Sequence, residues 1–299
     1  MSLACIAIGS NAIRMLEADQ RNGKFEVLKR ERIGTRLFAG LVDNYLQAES
    51  MKRSLDAVSD LTAIARADHV DGLFVFATSA VRDAKNGDLF VKSCEQITGT
   101  EMSILTGQEE AVFSYYGANR GGLSGVMDIG GGSTEFTLGT DDEITHAISL
   151  QMGAVRMFRQ IPIESVEGYA KTVELCVSII RDNAKTLLSC PGPYDWTGVG
   201  GTMTTLGAMI QQIPEFDPVR SEGMIVGMKD VNFWGEYLAA RSIEERRTIV
   251  GLMPHRADIM PSGLAILEAG MRAFGISRIR LSAYGNMDGD LKKKFSKKA

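Results

Sequence analysis

Histidine is nearly missing from this chain. His69, His146 and His255 are three in 299 residues, and none lies near another in sequence. A histidine-built metal centre is therefore disfavoured, and carboxylates are left as the side chains able to hold a hard cation such as Mg²⁺. Cysteine is as thin: Cys5, Cys94, Cys176 and Cys190 fall at wide intervals without a CxxC pair. Neither a zinc ribbon nor a disulfide framework fits, and the four are read as reduced thiols. Neither sign of charge prevails. Thirty-three lysines and arginines against 37 aspartates and glutamates leave a formal charge of -4, too little to attract nucleic acid or an anionic membrane, so an anionic ligand must be met by local features. No apolar run has the length of a membrane span, and no basic stretch precedes the apolar start MSLACIAIGSN; the expectation is a cytoplasmic protein without membrane contact. A GxxxxGK motif closed by Ser or Thr is lacking, and the glycine runs do not fit GxGxxG opening a helix, which disfavours P-loop and Rossmann sites.

What is present is alternation. With 44% hydrophobic residues the chain is long enough for two ordinary domains. LACIAI and IRMLEAD flank GSNA, which predicts a hairpin. Met51, Leu55, Val58 and Ala65 predict an amphipathic helix between Tyr45 and Arg66. GLFVFATSAVRD reads as a buried strand opening into a turn and helix, and MSILTG as a strand. QEEAVFSYYGANR is a helix with Glu109 and Glu110 in its first turn, where the helix dipole favours acids. A stripe from Val166 to Leu187 predicts one long helix after Pro162, and YDWTGVGGTMTTLGAMI a strand, a glycine turn and a helix. Strands interleaved with helices make this an α/β protein.

One pattern occurs twice. AIGSNAIRMLEAD, from Ala7, lies over DIGGGSTEFTLGT, from Asp128, with strand, small-residue turn and strand in the same places. Two related domains, each opening with a hairpin, would set two such turns across a cleft. Backbone N–H groups in tight turns make nests for anions, and glycine lets the backbone approach the ligand.

MDIGGGSTEFTLG and AIGSNAIRML, together with ATSAVRDAKNG, LTGQEEA, GVGGTMTTLGAM and RADIMPSGLAILEAGM, resemble in order the exopolyphosphatase and guanosine-pentaphosphate phosphohydrolase family. The resemblance covers essentially the whole chain. It implies two ribonuclease-H-like domains of the actin-like ATPase superfamily flanking an interdomain cleft: a first over 1–120, completed by the tail 289–299, and a second over 121–288. Longer members add a C-terminal helical domain, and this chain looks like the short two-domain form. The implied activity is hydrolysis of terminal phosphoanhydride bonds in inorganic polyphosphate or guanosine pentaphosphate, assisted by Mg²⁺ or Mn²⁺, with homodimerisation a further expectation. By the same resemblance Glu110 matches the general base. Asp128 and Glu135 match acids that with Glu110 bear on the metal and the water. Gly9, Ser10, Asn11, Gly130, Gly131, Gly132, Ser133 and Thr134 match the phosphate-binding hairpins, Arg82 an arginine reaching phosphate, and Gly200, Gly201 and Thr202 a third glycine turn. Those residue types suit phosphoryl transfer, which needs phosphates positioned, charge offset and a water aimed in line.

Two departures stand out. Where relatives open the first hairpin with aspartate, as in DIGSN, this chain has Ala7, so the expectation is altered catalysis or, as the alternative, a sensor that binds alarmone or polyphosphate without turnover. Where relatives read closer to SxxGLREG, Ser282 to Gly289 read SAYGNMDG, with Met287 and Asp288 for the arginine and glutamate. The ending LKKKFSKKA, with Lys292, Lys293, Lys294, Lys297 and Lys298, is expected to be a frayed, solvated tail.

Overall fold

The structure, a computed structural model, describes all residues except 22, 215, 216 and 299, and the side chains of 218, 297 and 298 also fall outside the described set, so the expectation for Lys297 and Lys298 does too. The first half runs β1 (Ser2–Ile8), β2 (Ala12–Arg21), β3 (Lys24–Gly34), β4 (Leu41–Val42), β5 (Tyr45–Leu46), α1 (Ala48–Ala67), β6 (Gly72–Ala77), α2 (Ser79–Arg82), α3 (Gly87–Thr98), β7 (Met102–Ile104) and α4 (Gly107–Ala118). The second runs β8 (Leu123–Ile129), β9 (Thr134–Thr140), β10 (Glu143–Leu150), α5 (Ala154–Gln160), α6 (Val166–Asn183), α7 (Lys185–Leu188), β11 (Asp195–Val199), α8 (Gly201–Ile210), β12 (Ile225–Gly227), α9 (Met228–Ala239), α10 (Ile243–Arg246), α11 (Met260–Ala273), β13 (Arg278–Leu281) and α12 (Asn286–Lys298).

Two sheets share one plan. The first has the order β3-β2-β1-β6-β7 and the second β10-β9-β8-β11-β13-β12. In each, an antiparallel three-strand meander is extended by parallel strands, β1 on β6 and β8 on β11. The central strand β1 is apolar on both faces because both are covered. Ala4, Ile6 and Ile8 enter one core with Val58 and Leu61 of α1, while Leu3, Cys5 and Ala7 face a second with Met287, Leu291 and Phe295 of α12. The largest core lies under the second sheet, where Tyr169, Val173, Cys176, Val177 and Ile180 of α6 pack at helical spacing against α11. The expected single helix to Leu187 is interrupted: Ala184 leaves helical geometry, with φ -107° and ψ 27°, so α6 ends and the short α7 begins.

Two helices cross between the halves. The α4 helix, expected within the first domain, packs on β8, β9 and β10 of the second sheet, and α12 packs on β1 and β2 of the first. The lysine-rich end is thus a docked helix through its described residues rather than a frayed tail, because Met287, Leu291 and Phe295 recur on its buried face. Where α4 meets α12, a methyl on Gly117 would overlap the Gly285 carbonyl and one on Gly289 the Phe113 carbonyl. Glycine is what permits that approach. Among the described residues no helix is long and apolar enough to cross a membrane.

Candidate functional site

Two tight turns meet at the centre of the molecule. Ile8 pairs with Ile13 and the Gly9 N–H donates to the Ala12 carbonyl at 3.1 Å; Ile129 pairs with Thr134 and the Gly130 N–H donates to the Ser133 carbonyl at 3.0 Å. The sequence duplicate is therefore a structural duplicate down to one hydrogen bond. The turns also touch: a Cβ on Gly131 would stand 2.6 Å from the Cβ of Ser10. The N–H groups of Ser10, Asn11 and Gly131 find no acceptor among the described residues, and neither does Asn11 Nδ2. Donors fixed in a turn without acceptors form a nest for an anion.

A cavity of about 480 Å³ opens on these turns. Gly9, Ser10 and Asn11 line it from one side, Asp128, Gly130 and Gly131 from the other, and Gly200 and Gly201 at the start of α8 from a third. Gly200 holds a φ of 102° and passes so near Asp128 that a Cβ would lie 3.0 Å from Oδ1, so both its conformation and its place call for glycine. The remaining sequence-expected residues lie off the wall. Thr134 donates its hydroxyl to the Met152 carbonyl, Gly132 packs against Ser79, and Ser133 is buried. Thr202 turns to Gly263 of α11, and Thr204 takes its place on the cavity wall. Gly132, Ser133, Thr134 and Thr202 are not among the residues that line this cavity.

The acids gather beneath the turns. Asp128 and Glu135 are register partners on β8 and β9, and Glu110 comes from the first turn of α4. That turn is set by a capping box, in which Thr106 Oγ accepts from the Glu109 N–H at 3.2 Å and Glu109 accepts from the Thr106 N–H at 2.9 Å. The two glutamates thus divide the work: Glu109 caps in solvent while Glu110 turns inward, 5% exposed. Burial, then the charge of Asp128, raises the Glu110 carboxyl to about 7, against the lowering pull of Arg82. Burial also raises Asp128, countered by a hydrogen bond from Ser114, and raises Glu135 well above the usual range, helped by Glu110 and Asp128. Glu135 accepts from Ser149 at 2.7 Å and stands behind the other two, off the cavity wall. Arg82 is off the wall as well: its Nη1 donates to the Leu105 carbonyl at 2.7 Å and to Glu110 at 3.4 Å, so it holds the Glu110 carboxylate from behind the cavity wall, with Nη2 left without a partner.

Among the described residues no group of three His, Cys, Asp or Glu side chains is arranged to hold a metal ion, so Glu110, Asp128 and Glu135 do not form a closed cage. The donor chemistry still suits Mg²⁺ in a narrower way. Glu110 and Asp128 are buried, mutually repelling oxygen donors on the cavity wall, and Mg²⁺ is commonly held by one or two carboxylates completed by phosphate oxygens and water.

The opposite wall is basic, and the sequence reading assigned it nothing. Arg14 of β2 lines the cavity at the hairpin position that Glu135 holds in the duplicate, and donates to Asn286 Oδ1 at 3.2 Å. Arg32 of β3 donates to His255 Nε2 at 2.8 Å. Since a guanidinium only donates, that nitrogen accepts and the imidazole is neutral; burial and the neighbouring arginines hold His255 down to about 4. Arg256 packs over Gly201, with its Nε unpartnered, and is lowered to about 9 by burial and by Arg32. Arg30, by contrast, is neutralised by Asp288 at 2.5 Å. Arg14, Arg32 and Arg256 outnumber the carboxylates beside them, since Asp288 is taken up by Arg30 and Glu31 is left on that wall, and an excess of arginine inside a cavity favours a multiply charged anion. The signal for Arg14 was its place in the duplicated hairpin, and Arg256 lay in the RADIM block without a role attached.

Known proteins resemble the chain along most of its length. The model of the Ppx/GppA phosphatase family matches residues 18–297. Exopolyphosphatase 2 of Mycobacterium tuberculosis is 28% identical over 96% of each chain, and the guanosine-5'-triphosphate,3'-diphosphate pyrophosphatase of Aliivibrio fischeri is 30% identical over 93% of this chain and 56% of its own. The chain thus spans a little over half the length of that second relative. An exopolyphosphatase from Cytophaga hutchinsonii superposes with a TM-score of 0.90 at 23% identity, covering 99% of this chain and 98% of the other. The Aquifex aeolicus PPX-GPPA enzyme does so with 0.82 at 24%, covering 98% and 99%. At that identity the likeness shows a common fold. With the family model matched along nearly its whole length, the chain belongs to the Ppx/GppA phosphatase family.

Proposed function

We propose that the chain is a hydrolase of terminal phosphoanhydride bonds, acting on inorganic polyphosphate or guanosine pentaphosphate, with Glu110 as general base. The observation that carries this is a carboxyl raised to about 7 on the wall of a cavity that also presents two N–H turns. A base works best when its pKa lies near the working pH. Ser10, Asn11 and Gly131 would hold oxygens of the terminal phosphate. Glu110 would take a proton from the attacking water as the new P–O bond forms, the bridging P–O bond breaks, and the shortened chain leaves with the electron pair. Arg82 orients Glu110, while Arg14, Arg32 and Arg256 would bear on the rest of the polyanion. Asp128 and Glu110 would hold Mg²⁺ or Mn²⁺ with phosphate oxygens and water, and the cation's charge would offset that of the transferred group.

The second reading, binding without turnover, is favoured by one observation: Ala7, where the sequence resemblance expects an acid, is fully buried and apolar. Phosphate release from long polyphosphate and from guanosine pentaphosphate, across a Mg²⁺ series, separates the two. Release from either supports hydrolysis; no release from both, with micromolar binding by calorimetry, overturns it and leaves a sensor.

A further inference from the structure

Alternate side chains of β1 face opposite cores, and position 7 falls on the face that α12 covers. Ala7 is completely buried there, in one apolar cluster with Met287, Leu16, Phe76 and Leu105. Met287, 5% exposed, belongs to that cluster and to the cavity wall at once. Farther along the same face, Cys5 donates its thiol to Asp290 of α12 at 3.6 Å. A side chain at position 7 therefore looks into α12 and is covered by it.

The duplicate shows what the same place can otherwise do. Asp128, the counterpart of Ala7, lies on the face of β8 toward α4, accepts a hydrogen bond from Ser114 of that helix, and reaches the cavity. Ala7 on β1, covered by α12, thus stands where Asp128 on β8, covered by α4, stands in the other half. The two departures that the resemblance marks, alanine in place of aspartate at 7 and methionine in place of arginine at 287, fall in this one cluster. A lone carboxylate or a lone guanidinium in such surroundings would lack a partner, whereas losing both leaves a packed apolar pair.

We propose that Ala7 and Met287 form one apolar plug that closes the first hairpin to a divalent cation. Cation binding in the cleft is then one-sided, on Asp128 and Glu110, and the first hairpin meets phosphate through its N–H groups and Arg14. Met287 is in this account a positioning residue that sets where charge can be neutralised. The inference rests on reading the cleft as a phosphate site served by a divalent cation, and its test avoids turnover altogether.

Thermal unfolding, and Mn²⁺ binding followed by the paramagnetic resonance of free Mn²⁺, are measured on the full chain and on Ala7→Asp, Met287→Arg, the double variant of both, and Ala7→Asp with Met287→Ala. Each single substitution is expected to lower Tm by about 4 °C or more, and the Ala7→Asp, Met287→Arg double by less than half the sum of the two. Ala7→Asp alone should leave the Mn²⁺ Kd within about twofold, while uncovering it with Met287→Ala should tighten binding by about tenfold. An Ala7→Asp protein with unchanged Tm and tenfold tighter Mn²⁺ overturns the plug, as does a double variant that loses the full sum. If a single variant fails to fold, a folded double meets the coupling criterion and an unfolded double refutes it. A chain that releases no phosphate would remove the hydrolase reading and leave these outcomes standing.

Discussion

Replacing Glu110 by glutamine is expected to stabilise the protein and disable it together, and burial decides the sign of the first effect. The carboxyl is raised from 4.5 to about 7, chiefly by burial and then by Asp128, and only 5% of the residue is exposed, so solvent screens it little. In the unfolded chain the group ionises near its ordinary value. Between pH 4.5 and 7 the unfolded carboxyl has released its proton while the folded one still holds it. The stabilisation of the protonated form is complete below about 4.5 and is lost as pH rises through about 7, at roughly 1.4 kcal/mol per unit and about 3 kcal/mol in all. Glutamine carries no charge to desolvate. It gives up an ion pair with Arg82 at 3.4 Å, but Arg82 keeps the Leu105 carbonyl at 2.7 Å. Urea unfolding should therefore show Glu110→Gln level with the parent near pH 5 and ahead by about 2 to 3 kcal/mol at pH 8. Phosphate release should fall by about 10² to 10⁴. Stability curves that run parallel from pH 5 to 8, or a loss of less than about tenfold in rate, would refute the reasoning.

Arg256→Ala removes a cation lowered to about 9 with an unpartnered Nε. Calorimetry with tripolyphosphate should show about a tenfold loss of affinity or more and a shallower salt dependence, and unchanged binding at two ionic strengths would count against the basic wall. Gly117→Ala drives a methyl into the Gly285 carbonyl where α4 crosses α12; Tm should drop by about 4 °C or more, and a melt within a degree of the parent would show that the crossing has slack. Gly200→Ala sets a side chain at a φ of 102° over Asp128. It should cost both stability and phosphate affinity, and a variant that binds tripolyphosphate as the parent does would remove that close approach from the argument.

What the sequence disclosed follows the range of the interactions involved. The two hairpins were legible because strand, small-residue turn and strand are local, and their duplication set Asp128 over Ala7 and Glu135 over Arg14 before any coordinates. The capping box that separates Glu109 from Glu110 spans three residues and was equally within reach. The place of Thr202 was hidden by helix rotation: at about 100° per residue, Gly201 and Thr204 share the cavity face of α8 while Thr202 turns to Gly263. The direction of Arg82 was not legible because a motif carries no direction, and the carbonyl that its Nη1 meets, Leu105, is 23 residues along the chain. The basic wall was the least legible part, since Arg14, Arg32 and Arg256 arrive from β2, β3 and the turn before α11 and meet only in the folded chain.

That wall gives the duplication its consequence. The backbone repeats itself, but the charges do not: in each hairpin the last strand pairs match, while the pair before them is Ala7 with Arg14 in one copy and Asp128 with Glu135 in the other. A cleft closed by two identical hairpins would treat both ends of a linear phosphate chain alike. Here the acidic side repels phosphate unless protonated or screened by a cation, while the other side carries an excess of arginine that attracts it. On the proposed reading, the body of the chain settles along Arg14, Arg32 and Arg256, and what extends past the touching turns to Glu110 is an end. Removal of terminal rather than internal phosphate then follows from the antisymmetry of charge on a symmetric scaffold, without a separate device to measure the chain.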